Sequence, residues 1–161
     1  MDFGVDADEV SAVLRPIYLD LRRFAAVVAP IETEPDDLVQ EAVVRELVSG
    51  QWSKVRDLRA YLRRTIVNAA SNERRRLVRQ RTAFERTVPE ITLVATYPSD
   101  FADLGRLEPV TRGLLFLVEV ERYPIEEAAA LVGCTPVAAR ARLSRARKKL
   151  RLELEHEALD G

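Results

Sequence analysis

The sequence predicts an all-α protein, and three observations predict it. Its hydrophobic residues, 47 % of 161, are mostly Leu, Val and Ala, which suit helices better than strands. With 6 Gly and 8 Pro it lacks the turn content of a many-stranded β architecture. Apolar residues also recur at three-and-four spacing in window after window. The length admits one moderate core or two small ones.

Residues 11–29 read as the first helix, with Val13, Leu14, Ile17, Leu21, Phe24, Ala25 and Val28 on one face and Pro30 as the stop. A second begins near Pro35, whose fixed backbone suits a first helical position. Asp36 and Asp37 complement its positive end, and it runs to about Val48 before Gly50. The third, from about Val55 to Arg79, places Leu58, Leu62, Thr65, Ile66 and Ala69 on one stripe.

From Gln80 to Asp103 the period is broken by Thr82, Thr87, Pro89, Thr92, Thr96, Pro98 and Ser99. The stretch reads as a linker between domains. Its apolar residues, among them Phe84, Ile91, Leu93 and Phe101, predict that it packs on a domain or a partner. The expected organisation is therefore a domain over 1–79, a flexible linker over 80–103 and a second domain over 104–161.

In the last part Leu104–Leu107 and Val110–Val120 read as helical turns, Ile125–Val132 as a helix and Pro136–Leu154 as another. Between the last two, Gly133 suits a left-handed helix end, Thr135 a cap and Pro136 a first turn. That pattern is a helix-turn-helix.

The formal net charge of −1 conceals two basic blocks, 59–86 and 140–151, each net +7 in an otherwise acidic chain. Such blocks are the footprint of polyanion binding. In the last helix Ala139, Leu143, Ala146 and Leu150 form a narrow apolar stripe. Arg140, Arg142, Ser144, Arg145, Arg147 and Lys148 occupy the rest of the circumference, where Arg can hold guanine or a phosphate pair. In the first block Tyr61, Arg64, Asn68, Ser71 and Arg75 share one side. An amide there reads a base edge and a ring stacks on an unpaired base, or Asn68 is a tolerated surface residue. The acidic helix mixes Asp37, Gln40, Glu41, Val44 and Val48 on one face, as a protein-binding surface does, or as a solvated face tolerates.

No catalytic constellation is present. There is no Gly-rich phosphate loop, and Glu126–Glu127 have no partner base. The lone Cys134 and lone His156 supply neither a disulfide nor a metal set, so neither metal nor cofactor is expected and a reducing cytoplasmic setting is. No segment approaches the roughly 18 apolar residues of a membrane span, and the acidic start is unlike a signal peptide.

Over about residues 11–79 and 104–152 the sequence resembles the extracytoplasmic-function sigma factors of the sigma-70 family. The resemblance rests on Asp36-Asp37-Leu38-Val39-Gln40-Glu41, Leu58-Arg59-Ala60-Tyr61-Leu62, Ile66-Val67-Asn68-Ala69-Ala70 and Arg74-Arg75-Arg76 in the first part. In the second it rests on Tyr123-Pro124-Ile125-Glu126-Glu127-Ala128-Ala129, Gly133-Cys134-Thr135-Pro136 and Arg140-Ala141-Arg142-Leu143-Ser144-Arg145-Ala146-Arg147. It implies that the helix of Asp37, Gln40, Glu41 and Val44 docks on the β′ clamp helices of core RNA polymerase, with the β subunit also contacted. It implies further that the Asn68 helix engages the melted minus-ten element of promoter DNA, while the loop with Trp52 helps hold an extruded base. The Arg140–Arg147 helix would read the minus-thirty-five element, and an anti-sigma factor would hold the protein inactive. The chain departs from the pattern at Val43-Val44, where an aromatic is usual, and at Pro136-Val137-Ala138-Ala139, which lacks small polar residues. No sensory domain is expected beyond the helix-turn-helix.

Two other readings fit parts of the sequence. A stand-alone helix-turn-helix regulator explains 104–154 but leaves the acidic and Asn68 helices idle, and it would bind duplex DNA without polymerase. An RNA-binding or scaffold module would use both basic blocks without sequence preference and with steep salt dependence.

Overall fold

The computed structural model describes residues 5–87 and 107–160, and every regular element among them is helical. Seven helices follow in order, the first four forming one unit and the last three another.

The helix expected over 11–29 is two. α1 spans Ala7–Leu14 and α2 spans Tyr18–Val28. Pro16 divides them, because proline supplies no N–H and its ring clashes with the carbonyl four residues back. Asp6 caps α1 by accepting from the Asp8 amide at 3.2 Å. α2 buries Leu21, Phe24, Ala25 and Val28, as their spacing predicts. α3, Pro35–Ser49, starts on its proline and ends at Gly50, which takes the left-handed φ of 66° that glycine adopts without a Cβ penalty. A 3-10 turn at Trp52–Lys54 follows. Asp57 opens α4, Leu58–Thr87, by accepting from the Ala60 amide at 3.0 Å. At 30 residues α4 is about 45 Å long and continues to Thr87, past the expected end at Arg79. Arginine and glutamine are good helix formers, so the fading apolar period there marks loss of burial and not loss of helix. The rest of the expected linker, from residue 88, lies outside the described residues.

In the second unit α5, Pro109–Leu115, continues as a π-helical turn at Phe116–Val120. The helical turn expected at Leu104–Leu107 lies outside the described residues up to 106. α6 is Ile125–Val132 and α7 is Pro136–Asp160, longer than the expected end at Leu154. Gly133 has φ 77°, and Thr135 Oγ1 accepts from the Ala138 amide at 3.2 Å, so the turn is built as the sequence predicts.

The two units share a core. One cluster of buried residues runs from Leu21, Phe24, Val28, Leu62 and Ile66 into Leu114, Leu117, Val132 and Leu143. Gly113 permits this approach: a Cβ there would lie 3.3 Å from Val132 and 3.4 Å from both Phe24 and Val28 side chains. Phe24 and Phe116 meet across the seam with ring centroids 6.3 Å apart.

Two buried arginines also cross it. Arg63 of α4 reaches Glu121. Arg112 of α5 donates to the last carbonyls of α2, Val28 at 3.0 Å and Ala29 at 2.9 Å, where a cation complements the negative end of the helix. Burial without a facing carboxylate pushes the Arg112 pKa down to about 10, so it stays charged near neutrality. The periodicity that identifies each apolar stripe carries no information about which helix covers it. Joining of the two units was therefore not legible in the sequence.

Candidate nucleic-acid and polymerase interface

On α7 the apolar stripe of Ala139, Leu143 and Ala146 is buried and Leu150 half-buried. This turns the basic side chains outward. Arg140, Ser144, Arg145, Arg147 and Lys148 are exposed and Arg142 is half-buried. Three of these arginines are paired, each to an acid on a different element. Arg140 bonds Glu126 of α6, Arg142 bonds Glu108 just before α5 at 2.6 Å, and Arg147 bonds Glu119 at the end of α5, with its Nε at 3.1 Å. Arg145 and Lys148 make no ion pair among the described residues. Pairs this exposed contribute about 0–1 kcal/mol, so they orient the guanidiniums and yield readily to a phosphate.

On α4, Tyr61, Arg64, Asn68 and Arg75 are exposed and Ser71 is half-buried, on the side opposite Leu62, Ile66 and Ala69. Interaction with the Glu46 carboxylate, together with burial, raises the pKa of the Tyr61 hydroxyl. Arg75 donates to Asn72 at 3.2 Å. Arg64 lies across the helix-turn-helix turn, its Nε 2.9 Å from where a Cβ on Gly133 would sit. The two basic surfaces are thus neighbours across the seam. Trp52 differs from expectation: it is only 6 % exposed. Its indole is buried in the turn after α3 and is not presented to solvent, a correction that follows from the ring's large apolar area.

On α3, Leu38 and Ala42 are buried while Asp37, Gln40, Glu41, Val44 and Val48 are exposed together. Glu41 is paired along the helix with Arg45 at 2.6 Å. The neighbouring Asp36 turns back to α2, accepting from Tyr18 at 2.6 Å and Arg22 at 3.2 Å; those bonds hold its carboxyl below the usual range. Beside this face α1, α2 and α3 line an apolar groove of about 750 Å³ that includes Val10, Leu14, Leu19 and Leu47. The sequence reading missed it, since the groove exists only because Pro16 lets α1 fold away from α2.

Sequence reasoning also missed the acids that pair α7 and the inward aim of Arg63 and Arg112. The signal for Arg63 was present: it lies beside Leu62, Ile66 and Val67 on the wheel of α4, facing the core and not the cationic surface. Among the described residues no group of three His, Cys, Asp or Glu is placed to hold a metal, and no helix is long and apolar enough to cross a membrane.

The chain matches the family models of sigma-70 region 2 over residues 14–80 and sigma-70 region 4 over residues 104–150. It is 31 % identical over 151 residues to the RNA polymerase sigma-E factor of Streptomyces avermitilis, a match covering 88 % of this chain and 82 % of that protein. Its fold is similar to the sigma factor RpoE of Bartonella quintana, solved with the anti-sigma factor NepR. There the TM-score is 0.64 at 24 % identity, covering 90 % of this chain and 96 % of that one. It is also similar to CnrH, solved with the cytosolic domain of CnrY, at a TM-score of 0.61 and 23 % identity over 96 % of this chain and 92 % of that one. Two basic helical surfaces, an exposed acidic helix face and these matches agree: the chain belongs to the extracytoplasmic-function group of the sigma-70 family, RNA polymerase sigma factors that direct promoter-specific transcription initiation.

Proposed function

We propose a division of labour among three surfaces of this sigma factor. The Asp37, Gln40, Glu41 and Val44 face of α3 docks on the β′ clamp helices of core polymerase. The Tyr61, Arg64, Asn68, Ser71 and Arg75 side of α4 engages the melted minus-ten element. The Arg140, Arg142, Ser144, Arg145, Arg147 and Lys148 circumference of α7 enters the major groove at the minus-thirty-five element. The observation that carries the reading is α7 itself: its stripe is buried to 2 % exposure or less from Ala139 to Ala146, and no acid stands between 140 and 151.

Residues 1–79 and 104–161 act as separate recognition domains on DNA, with 80–103 as the connection. The two elements are about 25 base pairs, or roughly 85 Å, apart along B-DNA. A compact chain of this length has a radius of gyration near 15 Å. Promoter engagement therefore needs the shared core to part, and core polymerase supplies the separation. The closed arrangement is the one an anti-sigma factor would hold, as supported by likeness to relatives solved with such partners. Members of this family are regulatory proteins and not enzymes, and action in the cytoplasm follows from the polymerase partner.

Reconstituted transcription with bacterial core polymerase, with and without the chain, on a genomic promoter library tests the reading. Initiation from a shared promoter sequence only when the chain is present supports it. Tight duplex binding without core, or no association with core, overturns it.

A further inference from the structure

The geometry points to a ligand site between the two units that takes a condensed phosphate chain, three or more linked phosphates. A cavity of about 600 Å³ between α4 and the second unit is walled by Arg74, Arg75 and Arg79 on one side and by Arg142 on the other. A second, of about 290 Å³, adjoins it, sharing Arg142 and adding Arg145 and Lys149. Both cavities have one acid in their walls, Glu108.

The chemistry of the trough selects its ligand. Cations from α4 and α7 face a space the size of small-molecule sites, too narrow for a duplex. No aromatic ring lines either cavity, so an unpaired base has no surface to stack on. What remains is charge-assisted hydrogen bonding to closely spaced oxyanions, for which guanidinium forks are suited. The site already holds one oxyanion. Glu108 accepts from Arg142 at 2.6 Å and lies 3.7 Å from Arg74. The Arg142 bond, with the charges of Arg142, Arg74 and Arg75, holds its carboxyl below the usual range against burial. A single carboxylate leaves Arg75, Arg79, Arg145 and Lys149 for further phosphate oxygens.

Because the cations come from both units, the ligand meets its full set only in the closed arrangement. By linkage it stabilises that arrangement and the fold as a whole. It also occupies Arg75, Arg142 and Arg145, which the promoter reading assigns to DNA, although the site stands independently of that reading.

The test is calorimetric titration of the full chain with sodium tripolyphosphate and, separately, with ATP, at matched ionic strength with sulfate as the charge control. Saturable binding of tripolyphosphate well above sulfate, with a raised Tm, is the expected result. Arg79→Ala, exposed and outside the core, should weaken it roughly fivefold, and Glu108→Gln, which removes the competing carboxylate, should tighten it by about as much. Affinity for ATP equal to or below that for tripolyphosphate assigns recognition to the phosphate chain alone and supports the site, whereas clearly tighter ATP binding, a preference these ring-free walls do not supply, overturns it. A response no greater than sulfate, or wild-type affinity in both variants, overturns it.

Discussion

Arg63 in α4 and Glu121 after α5 form a bidentate pair, each terminal nitrogen 2.9 Å from a carboxylate oxygen, across 58 positions of sequence. Arg63 is 1 % exposed, bonds Asp20 of α2 at 2.9 and 3.0 Å and lies over the Phe24 ring at 5.2 Å. Burial alone would lower its pKa, but the Glu121 bonds and the charges of Asp20 and Glu121 outweigh it and raise the value. The guanidinium thus has carboxylate partners from both units, Asp20 from the first and Glu121 from the second. Apolar burial holds the seam, and charged groups within it make it separable.

Replacing Glu121 should weaken the closed form. Glu121→Ala leaves Asp20 as the carboxylate facing Arg63 inside the core, and a buried cation that loses a partner costs about 1–3 kcal/mol when the pair is partly hydrated. A fall in Tm of several degrees is expected. A double-mutant cycle with Arg63→Met should give coupling of about 1 kcal/mol or more; strictly additive losses would show that the pair does not hold the seam.

Gly113→Val should act on the same seam through packing. The added groups meet Val132, Phe24 and Val28, already 3.3–3.4 Å from a bare Cβ and drawn from both units. Overpacking a site this tight costs about 1–3 kcal/mol. Because the pressure falls between the units, small-angle scattering should record a larger radius of gyration as well as a lower Tm. An unchanged radius and Tm would mean the core absorbs the side chain.

How much of this was legible follows from what periodicity encodes. The stripes of α2, α4 and α7, the Gly133 turn and the exposed face of α3 were readable because each is local to one helix. Asn68 and Arg145 were placed outward for the same reason. The break at Pro16 was written in the sequence and overlooked beneath a continuous apolar pattern. The inward side of Arg63 was readable on the wheel of α4, but the partners of Arg63 and Arg112 lie 58 and 83 positions away, and no local spacing names them. The basic count also hid that Arg140, Arg142 and Arg147 carry internal counter-ions.

Arg145→Ala should weaken recognition of the minus-thirty-five element. Its side chain is exposed without an ion-pair partner among the described residues, so it is available without breaking an internal contact. In reconstituted holoenzyme a loss of about 1–3 kcal/mol confined to one base position is expected for a base contact, and a uniform loss with a salt slope reduced by about one for a phosphate contact. Unchanged promoter affinity would remove Arg145 from the interface.

Asn68→Ala should impair promoter opening more than core binding. The amide is exposed on the face of α4 that also carries Arg64 and Arg75, away from the α3 surface assigned to polymerase. Permanganate footprinting of the melted region should lose intensity while the affinity for core stays within about twofold, the range of a surface substitution. Equal loss of both would contradict the assignment.

Val44→Ser separates docking from folding. Val44 is 54 % exposed, so its replacement should change stability by no more than about 0.5 kcal/mol. In a complex with the clamp helices the isopropyl group becomes buried, and losing it should cost about 1.5 kcal/mol, or roughly tenfold in affinity for core. Titration of labelled core with the variant measures this directly, and wild-type affinity would exclude Val44 from the docking surface.

Acid should open the molecule through its paired carboxylates. Arg142 holds Glu108 low, Tyr18 and Arg22 hold Asp36 low, and Arg76 holds Glu73 low. A carboxyl whose folded pKa lies below its unfolded value contributes stability that is complete above the unfolded value and lost as pH falls through the folded one. The ordinary values are 4.5 for glutamate and 3.8 for aspartate, so stability should be flat near neutrality and decline from just above those values downward. Of the three only Glu108 bridges the units, through Arg74; its bond to Arg142 lies within the second unit. Glu108→Gln should therefore flatten the acid limb of a urea midpoint against pH profile, whereas Glu73→Gln, paired within one helix turn, should also flatten it but leave the radius of gyration at acid pH unchanged. A Glu108→Gln profile that overlays the wild type would show that this carboxylate does not couple the seam to pH.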